Sequence, residues 1–303
     1  MEVYRNYPIP VRDNMLWHYT SPEVLWKMLE GNFYATHYRF MNDSAEILYG
    51  LNVFKSFFQK AAADNQTIAN TLMALAQKDF FLMCFSNKED DLYQWRSYAG
   101  DGGFAIGFSE LEINTLIAEY CKNTPVNLLL DFKLLPCKYL KTDRINRYFR
   151  YLSYKLFHKS YELKEFVPED ILSQKEFELA VSQELPQEDK NKSSWELLLD
   201  FTNEFAMNFS VQKQCSIIKN PSFKAEEEVR LIVTGNNLRN KIDLVGGKPR
   251  IALPFKLQNC IKAVYVSPHG ETDRNHVLAE IARDKFGLNF EIKDSSSSYN
   301  GRR

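Results

Sequence analysis

An α+β fold, with a mixed or antiparallel central sheet and a helical insertion, is what this sequence predicts. Three observations carry that expectation. Short apolar runs of strand length gather toward both ends of the chain, and the stretch between them, about 120–215, carries helical periodicity. The 303 residues are 45% hydrophobic and 25% charged, the composition of a globular domain. For a mass of 35.4 kDa, surface scaling gives about 13,000 Å² exposed when folded against roughly 51,000 Å² for the open chain, so about three quarters is buried. One domain over 1–303, closed by its two ends and carrying the 120–215 lobe, follows from strands on both sides of a helical middle.

The elements follow in order. "MLWHYT" (15–20) reads as a strand. "SPEVLWKMLEG" reads as a helix with Ser21 at the N-cap, Pro22 in its first turn, Glu23 at the favourable dipole end and Gly31 as the stop. "NFYAT" (32–36) is a second strand, and 44–62 and 66–77 have helical patterns. "FFLMCFS" (80–86) is a buried strand and "FAIGF" (104–108) another, entered through the turn "GDGG" (100–103). The helical middle places Ile145, Phe149, Leu152 and Leu156 on one face, holds two further helical stretches, and contains the polar loop "PQEDKNKSS" (186–194). Strand patterns return with "EVRLIV" (228–233), "RIALPF" (250–255) and "IKAVYVS" (261–267). A helix over about 272–286 closes at Gly287, and "NFEIK" (289–293) precedes a serine-rich tail.

Charge and motifs narrow the function classes. Lys+Arg number 38 and Asp+Glu 39, a net charge of −1, so no global positive field draws nucleic acid. A local stripe of Arg144, Arg147, Arg150 and Lys155 interleaved with Tyr148, Tyr151 and Tyr154 keeps nucleic acid open as a partner, though an exposed helix face has the same pattern. The aromatic content of 14% suits a Phe-rich core and leaves room for a stacking surface. Cys84, Cys121, Cys137, Cys215 and Cys260 are odd in number and form no CxxC pair, which argues against a disulfide framework or a zinc ribbon. Residues 1–20 lack an apolar signal region and no apolar run nears the ~20 residues that span a bilayer. The expectation is a cytoplasmic, reduced protein with no membrane partner. The five histidines lack the HExxH spacing, and no GxSxG or GxxxxGK[ST] motif occurs, so the sequence suggests no metal site.

Four constellations could carry chemistry. His18-Tyr19-Thr20 ends a strand beside a helix N-terminus; His18 is a hydrogen-bonded structural residue or a ligand contact. Asn42-Asp43-Ser44 with Glu46 is a capped helix start or a polar loop at a site. In "CFSNKEDDLYQWRSYAGDGGFAIGF" (84–108), Ser86, Trp95 and Tyr98 arrive near one sheet edge, with Asp90 and Asp91 opening a short helix. "FKAEEEVRLIV" (223–233) runs three carboxylates into an apolar strand. Strand alternation would put Glu226 and Glu228 on one face and Glu227 on the other, and a one-residue slip would reverse this. Adjacent like charges repel, so the run is a solvated edge, or is paired by Arg230 or a lysine, or has a chemical use. A carboxylate there can hold a ribose hydroxyl and stabilise an oxocarbenium ion.

Taken together, "LWHYTS…G.FYATH…MNDSAE", "FFLMCFS…D…QWRSYAGDGGFAIGF", "F..EEEVRLI", "IKAVYVSP" and "I.DSSSSY" resemble a bacterial domain-of-unknown-function family, family 2971, over most of the chain outside the helical middle. His18-Tyr19-Thr20 and Glu226-x-Glu228-Val229 also resemble, more distantly, the first and last elements of ADP-ribosyltransferases. That resemblance implies their core fold and NAD as the substrate-cofactor. It makes His18 the ribose anchor, Glu228 the catalytic carboxylate and Glu226 its assistant. Tyr19, Thr20, Ser86, Trp95 and Tyr98 would line the cofactor site. The activity implied is ADP-ribosyl transfer to an unknown macromolecular acceptor, or NAD hydrolysis. The alternatives are a non-catalytic sensor or interaction module and a nucleic-acid-acting effector of phage defence.

Overall fold

The computed structural model describes residues 14–42, 49–50, 52, 79–100, 102–125, 130–140, 216–235 and 238–297. Most of the helical stretches expected at 44–62 and 66–77 therefore lie outside the described residues; within them Tyr49, Gly50 and Asn52 are helical. The expected helices and polar loop beyond residue 140, the Arg144–Tyr154 stripe, and Asp43, Ser44 and Glu46 also lie outside.

Chain contacts divide the protein into two compact units. The first takes Met1–Ser44, Asp79–Cys137 and Ser222–Arg303; the second takes Ala45–Lys78 and Lys138–Pro221. The second unit includes most of the expected 120–215 lobe and adds the 45–78 piece. Among its described residues, strand β6 (Lys138–Tyr139) runs parallel to β7 (Ile218–Lys219). There the Tyr49 hydroxyl donates to the Leu140 carbonyl at 3.0 Å.

The first unit is a mostly antiparallel ten-stranded sheet with helices. In chain order it has β1 (Met15–Thr20), α1 (Pro22–Leu29), β2 (Tyr34–His37), β3 (Phe81–Ser86), β4 (Phe104–Ser109), α2 (Glu110–Asn123) and β5 (Leu130–Pro136). Then come β8 (Glu228–Gly235), β9 (Ile242–Val245), β10 (Lys248–Ala252), β11 (Ile261–Val266), α3 (Thr272–Lys285) and β12 (Glu291–Asp294). The expected α+β class and antiparallel sheet are present; within this sheet only β11 and β12 run parallel.

Strand β3 is the branch point. One edge pairs with β8 along all six residues, from Phe81 opposite Val233 to Ser86 opposite Glu228, and β8 in turn pairs with β5. The other edge is shared. Its end at Ser86 meets Trp17 of β1, and its start at Phe81 and Leu82 meets His37 and Thr36 of β2. From β1 the sheet continues through β4, β11 and β12; from β2 it continues through β10 and β9. The sheet is therefore forked between β1 and β2.

Local chemistry explains the elements. Helix α1 has Pro22 at its start and Glu23 in its first turn, and Gly31 at φ +103° ends it. Ser21 occupies the N-cap position but its side chain makes no cap bond. In α2, by contrast, the Ser109 hydroxyl accepts the Glu112 N–H at 3.2 Å. The helices cover one sheet face. Leu25, Met28 and Leu29 of α1, Ile113 of α2 and Ala279 and Ala282 of α3 pack with Leu16, Phe81, Met83, Phe85, Phe104, Ile106, Phe108, Val229, Leu231 and Val233. A second, smaller cluster of Trp17, Tyr19, Trp95, Ala99, Ala105 and Ala263 lies on the opposite face. There Trp17 lies so close over β4 that a Cβ on Gly107 would sit 2.7 Å from its ring; no side chain fits at 107.

Three expectations need correction. The chain at 130–136 is strand β5, not part of a helical lobe; Leu130, Phe132 and Leu134 alternate with Asp131 and Lys133, a strand pattern that the expected helical middle passed over. Strand β9 was not foreseen, although Gly246 and Gly247 form the tight hairpin turn that joins it to β10 and are a turn signal. The third correction concerns the acidic run. Glu226 ends a 3₁₀ turn (Pro221–Glu226), Glu227 has φ +42°, and the strand begins only at Glu228. Strand alternation does not apply across these three residues.

Candidate functional site

The polar face of β3 and β8 gathers most of the expected residues. Residues opposite one another in a pleated ladder share a face, so Trp17, Ser86 and Glu228 point one way, as do Cys84 and Arg230. The chain enters this face from two bends. The loop after β3 turns at Asp90, with φ +45°, and the one before β8 turns at Glu227. Each non-glycine residue in that region costs on the order of 1 kcal/mol, so the surrounding bonds must hold it.

They do. The Ser86 hydroxyl donates to the Glu226 carbonyl at 2.7 Å and accepts the Lys88 N–H at 3.1 Å. The Gln94 amide also donates to the Glu226 carbonyl, at 3.1 Å, and the Asn87 N–H donates to the Glu227 carbonyl at 3.0 Å. Lys88 Nζ lies 3.7 Å from carboxylate oxygens of both Asp91 and Glu227. The two bends are thereby tied together.

Between them sits the Glu226 carboxylate, buried at 3% exposure. Its Oε1 accepts the Tyr98 hydroxyl at 3.0 Å and the Tyr93 hydroxyl at 3.4 Å. Asp91 caps the short helix Leu92–Gln94 by accepting the Gln94 N–H, and the helix then widens into a π turn over Trp95–Ala99. A π turn closes every five residues rather than every four, which aims residues 93 and 98 at the same carboxylate. Sequence reasoning singled out Trp95 and Tyr98 on this short helix and missed Tyr93 and Gln94. Tyr93 remains 42% exposed.

Glu228, two residues on, is in a different state. Arg230 donates Nε to Oε1 at 2.7 Å and Nη2 to Oε2 at 2.9 Å, and both side chains are buried. In this bidentate pair Arg230 is the cationic partner that was one of the readings of the acidic run. Burial pushes the neighbouring Cys84 thiol well above its usual range, and the Glu228 charge adds to the shift. Cys84 is thus a protonated packing residue.

The β1 residues take other positions. His18 follows Trp17 and points to the opposite, helix-covered face, where its ring meets Phe85 edge-on at 6.1 Å. His18 Nδ1 lies 2.8 Å from the Cys84 carbonyl, which fixes that nitrogen as the donor. Burial lowers its pKa below 6.5, the Cys84 bond opposing the shift, so the ring is neutral at pH 7. The structure does not bring His18 and Glu228 to one face. The Tyr19 hydroxyl donates to the Lys88 carbonyl at 2.8 Å and accepts the Asp91 N–H at 2.9 Å; burial raises its pKa. Tyr19 pins the loop and Thr20 is buried. Trp95 is 1% exposed, meets Tyr19 edge-on at 4.9 Å and donates its indole N–H to Asp90 at 2.8 Å, so its face offers no stacking platform.

A separate hollow of about 490 Å³ lies along β11 and β12, lined by Met15, Trp17, Ala263 and Phe290 with Glu89, Lys262 and Lys293 among its polar groups. Glu89 accepts the Tyr265 hydroxyl at 2.8 Å. The lining includes none of Ser86, Glu226 or Glu228.

Fold and site together define an α+β protein with a forked antiparallel sheet and a carboxylate–tyrosine cluster on its polar face. A family described as a protein of unknown function, DUF2971, matches residues 94–231, and over that segment the chain is similar to it. The segment runs from Gln94 to Leu231, so it takes in Tyr98, Glu226, Glu228 and Arg230 and leaves out His18 and Ser86. The likeness had been expected outside the helical middle; the match spans that middle. No curated protein and no solved structure matches the chain. Among the described residues no helix is long and apolar enough to cross a membrane.

Proposed function

We propose that the chain is an ADP-ribosyltransferase-like enzyme that transfers ADP-ribose from NAD or hydrolyses NAD, with Glu226 as its working carboxylate. The observation that supports this reading is the convergence of Ser86, Tyr93 and Tyr98 with Glu226, from two separate sequence motifs, on one face beside the fork of the sheet. In such a reaction the bond between the ribose C1′ and the nicotinamide nitrogen breaks and its electron pair leaves with nicotinamide. Water or an acceptor nucleophile then forms the new bond at C1′. A carboxylate at this point orients a ribose hydroxyl and stabilises the positive charge on the sugar. Tyr98 holds Glu226 in place. Tyr93, with the longer bond and the exposed ring, is the group that yields to a substrate. Glu228 is assigned to holding Arg230, and His18 has no part in this scheme.

The test is nicotinamide release from labelled NAD by the full chain. Glu226→Gln is expected to reduce release by about three orders of magnitude, the scale of a single electrostatic contributor, with the circular dichroism spectrum unchanged. Wild-type protein that releases no nicotinamide would overturn the proposal.

A second reading has its own support. The main-chain and side-chain oxygens of the cluster bond internally, as a structural hub would. A non-catalytic interaction module predicts that Glu226→Gln lowers stability and changes no NAD chemistry.

A further inference from the structure

One carboxylate outside the proposed chemistry, that of Asp90, accepts from four donors. Asp90 sits at the tip of the bend after β3 with φ +45°. Its Oδ1 accepts the Trp95 indole N–H at 2.8 Å and also the Ser295 hydroxyl. Its Oδ2 accepts both the N–H of Ser296, at 2.7 Å, and the Ser296 hydroxyl, at 2.8 Å. The Ser297 hydroxyl reaches the Asp90 carbonyl at 3.4 Å, and the Ser297 N–H donates to Ser295 Oγ at 3.1 Å. Residues 295–297 thus close a small ring of donors around one side chain some two hundred residues earlier in the chain. Their anchor is firm: Ser295 N–H donates to the Val266 carbonyl at 3.1 Å, continuing the β11–β12 pairing.

What Asp90 holds at its other end is the π turn. Trp95 is buried in this turn together with Ala99, packs on Tyr19, and donates its indole N–H to Asp90. Tyr93 and Tyr98 flank it and carry the contacts to Glu226. Burial alone would raise the Asp90 pKa, but the donors from Ser295, Trp95 and Ser296 outweigh it and hold the carboxyl below its usual range. The ion is therefore the form these donors select.

We propose that residues 295–297 act as a strap, a serine segment that clasps the Asp90 carboxylate and thereby sets the position of the Trp95 π turn and of the tyrosines it presents to Glu226. Ser295, Ser296 and Asp90 are positioning residues. The strap concerns the shape of the turn and stands without the catalytic reading; if that reading holds, strap and turn together govern access to Glu226. A short run of serines suits this use. Each residue supplies a hydroxyl donor close to the main chain, and consecutive N–H and O–H groups converge on one anion.

Hydrogen exchange on the full chain tests the strap without any activity assay. Two readouts are followed by NMR: the indole N–H of Trp95, assigned with Trp95→Phe, and the main-chain amide of Ser296. The double variant Ser295→Ala/Ser296→Ala removes two of the donors at partly or fully exposed positions and leaves the core intact. It is expected to speed exchange at the Trp95 indole about tenfold, the effect of losing hydrogen bonds to a charged group. Asp90→Gly is the second arm. It keeps the left-handed bend while removing the carboxylate, and it is expected to bring the Ser296 amide to the rate of an unprotected peptide. The strap is overturned if the Ser296 amide already exchanges at that rate in the wild type. It is equally overturned if Trp95 exchange is unchanged in the double serine variant.

Discussion

The two faces of the β3–β8 ladder are made by alternate residues of the same two strands, yet they are held by opposite physics. On one face Phe81, Met83, Phe85, Val229, Leu231 and Val233 bury carbon against three helices. On the other, Ser86, Glu228 and Arg230 are buried almost as deeply but are held by directional bonds to charged groups. Apolar burial tolerates small shifts because it has no direction. A buried ion pair does not, because removing one partner leaves the other charge uncompensated in a low dielectric. The difference teaches why the polar face can present a carboxylate in a fixed pose while the apolar face only supports it.

That contrast can be broken from either side. On the polar side, Arg230→Leu strands Glu228 and is expected to cost about 3–5 kcal/mol in urea unfolding. The double variant Arg230→Leu/Glu228→Leu should recover most of that loss, since the pair taken together is worth little against apolar residues of similar size. A double variant no more stable than the single one would show that Glu228 is not the partner that matters. On the apolar side, Leu231→Ala is expected to cost about 2–5 kcal/mol, and here no second truncation restores it. A smaller effect belongs to the Glu226 cluster: Tyr98→Phe removes one hydroxyl donor to a carboxylate and should cost about 1.5–3 kcal/mol, while Tyr93→Phe, with the longer bond and exposed ring, costs less. Equal losses in the two would contradict the assignment of Tyr98 as the holding group.

The smallest expected effect is a pH slope. Burial lowers the His18 pKa below 6.5, so the unfolded chain binds a proton more readily than the folded one. Stability is therefore expected to fall as pH drops below 6.5 and to level off once the folded pKa is passed. His18→Gln should flatten that part of the profile, which denaturant midpoints at successive pH values would show.

Much of this fold could be read from residue patterns, and the reasons are local. β1, β3, β4 and β11 are continuous or alternating apolar runs bounded by turn signals, and α1 is marked by proline and glycine. β5 escaped although Leu130, Phe132 and Leu134 alternate with Asp131 and Lys133: the run is short, it sits in a stretch read as helical, and its partner β8 lies nearly a hundred residues away. At the site, the residue types in the Ser86, Tyr98 and Glu226 motifs were legible, and Arg230 stood among the partners open to the carboxylates. The roles of Glu226 and Glu228 were not. They depend on a 3₁₀ turn ending at Glu226 and a left-handed bend at Glu227, so the alternation drawn from Glu226 does not hold although the strand begins at Glu228 as expected. For His18 the structure shows the first of the two alternatives, the hydrogen-bonded residue; its face is set by the pairing of β1 with β4 and β3, which no local pattern encodes. Tyr93 was hidden by the π turn.

In the proposed function Glu226, not Glu228, meets the ribose. A crystal of the full chain soaked with an uncleavable NAD analogue tests it most directly. The expected result is a ribose hydroxyl about 3 Å from Glu226, within hydrogen-bond reach, with Tyr93 displaced and the Glu228–Arg230 pair intact. A dinucleotide bound elsewhere, with Tyr93 and Tyr98 still on Glu226, would contradict it.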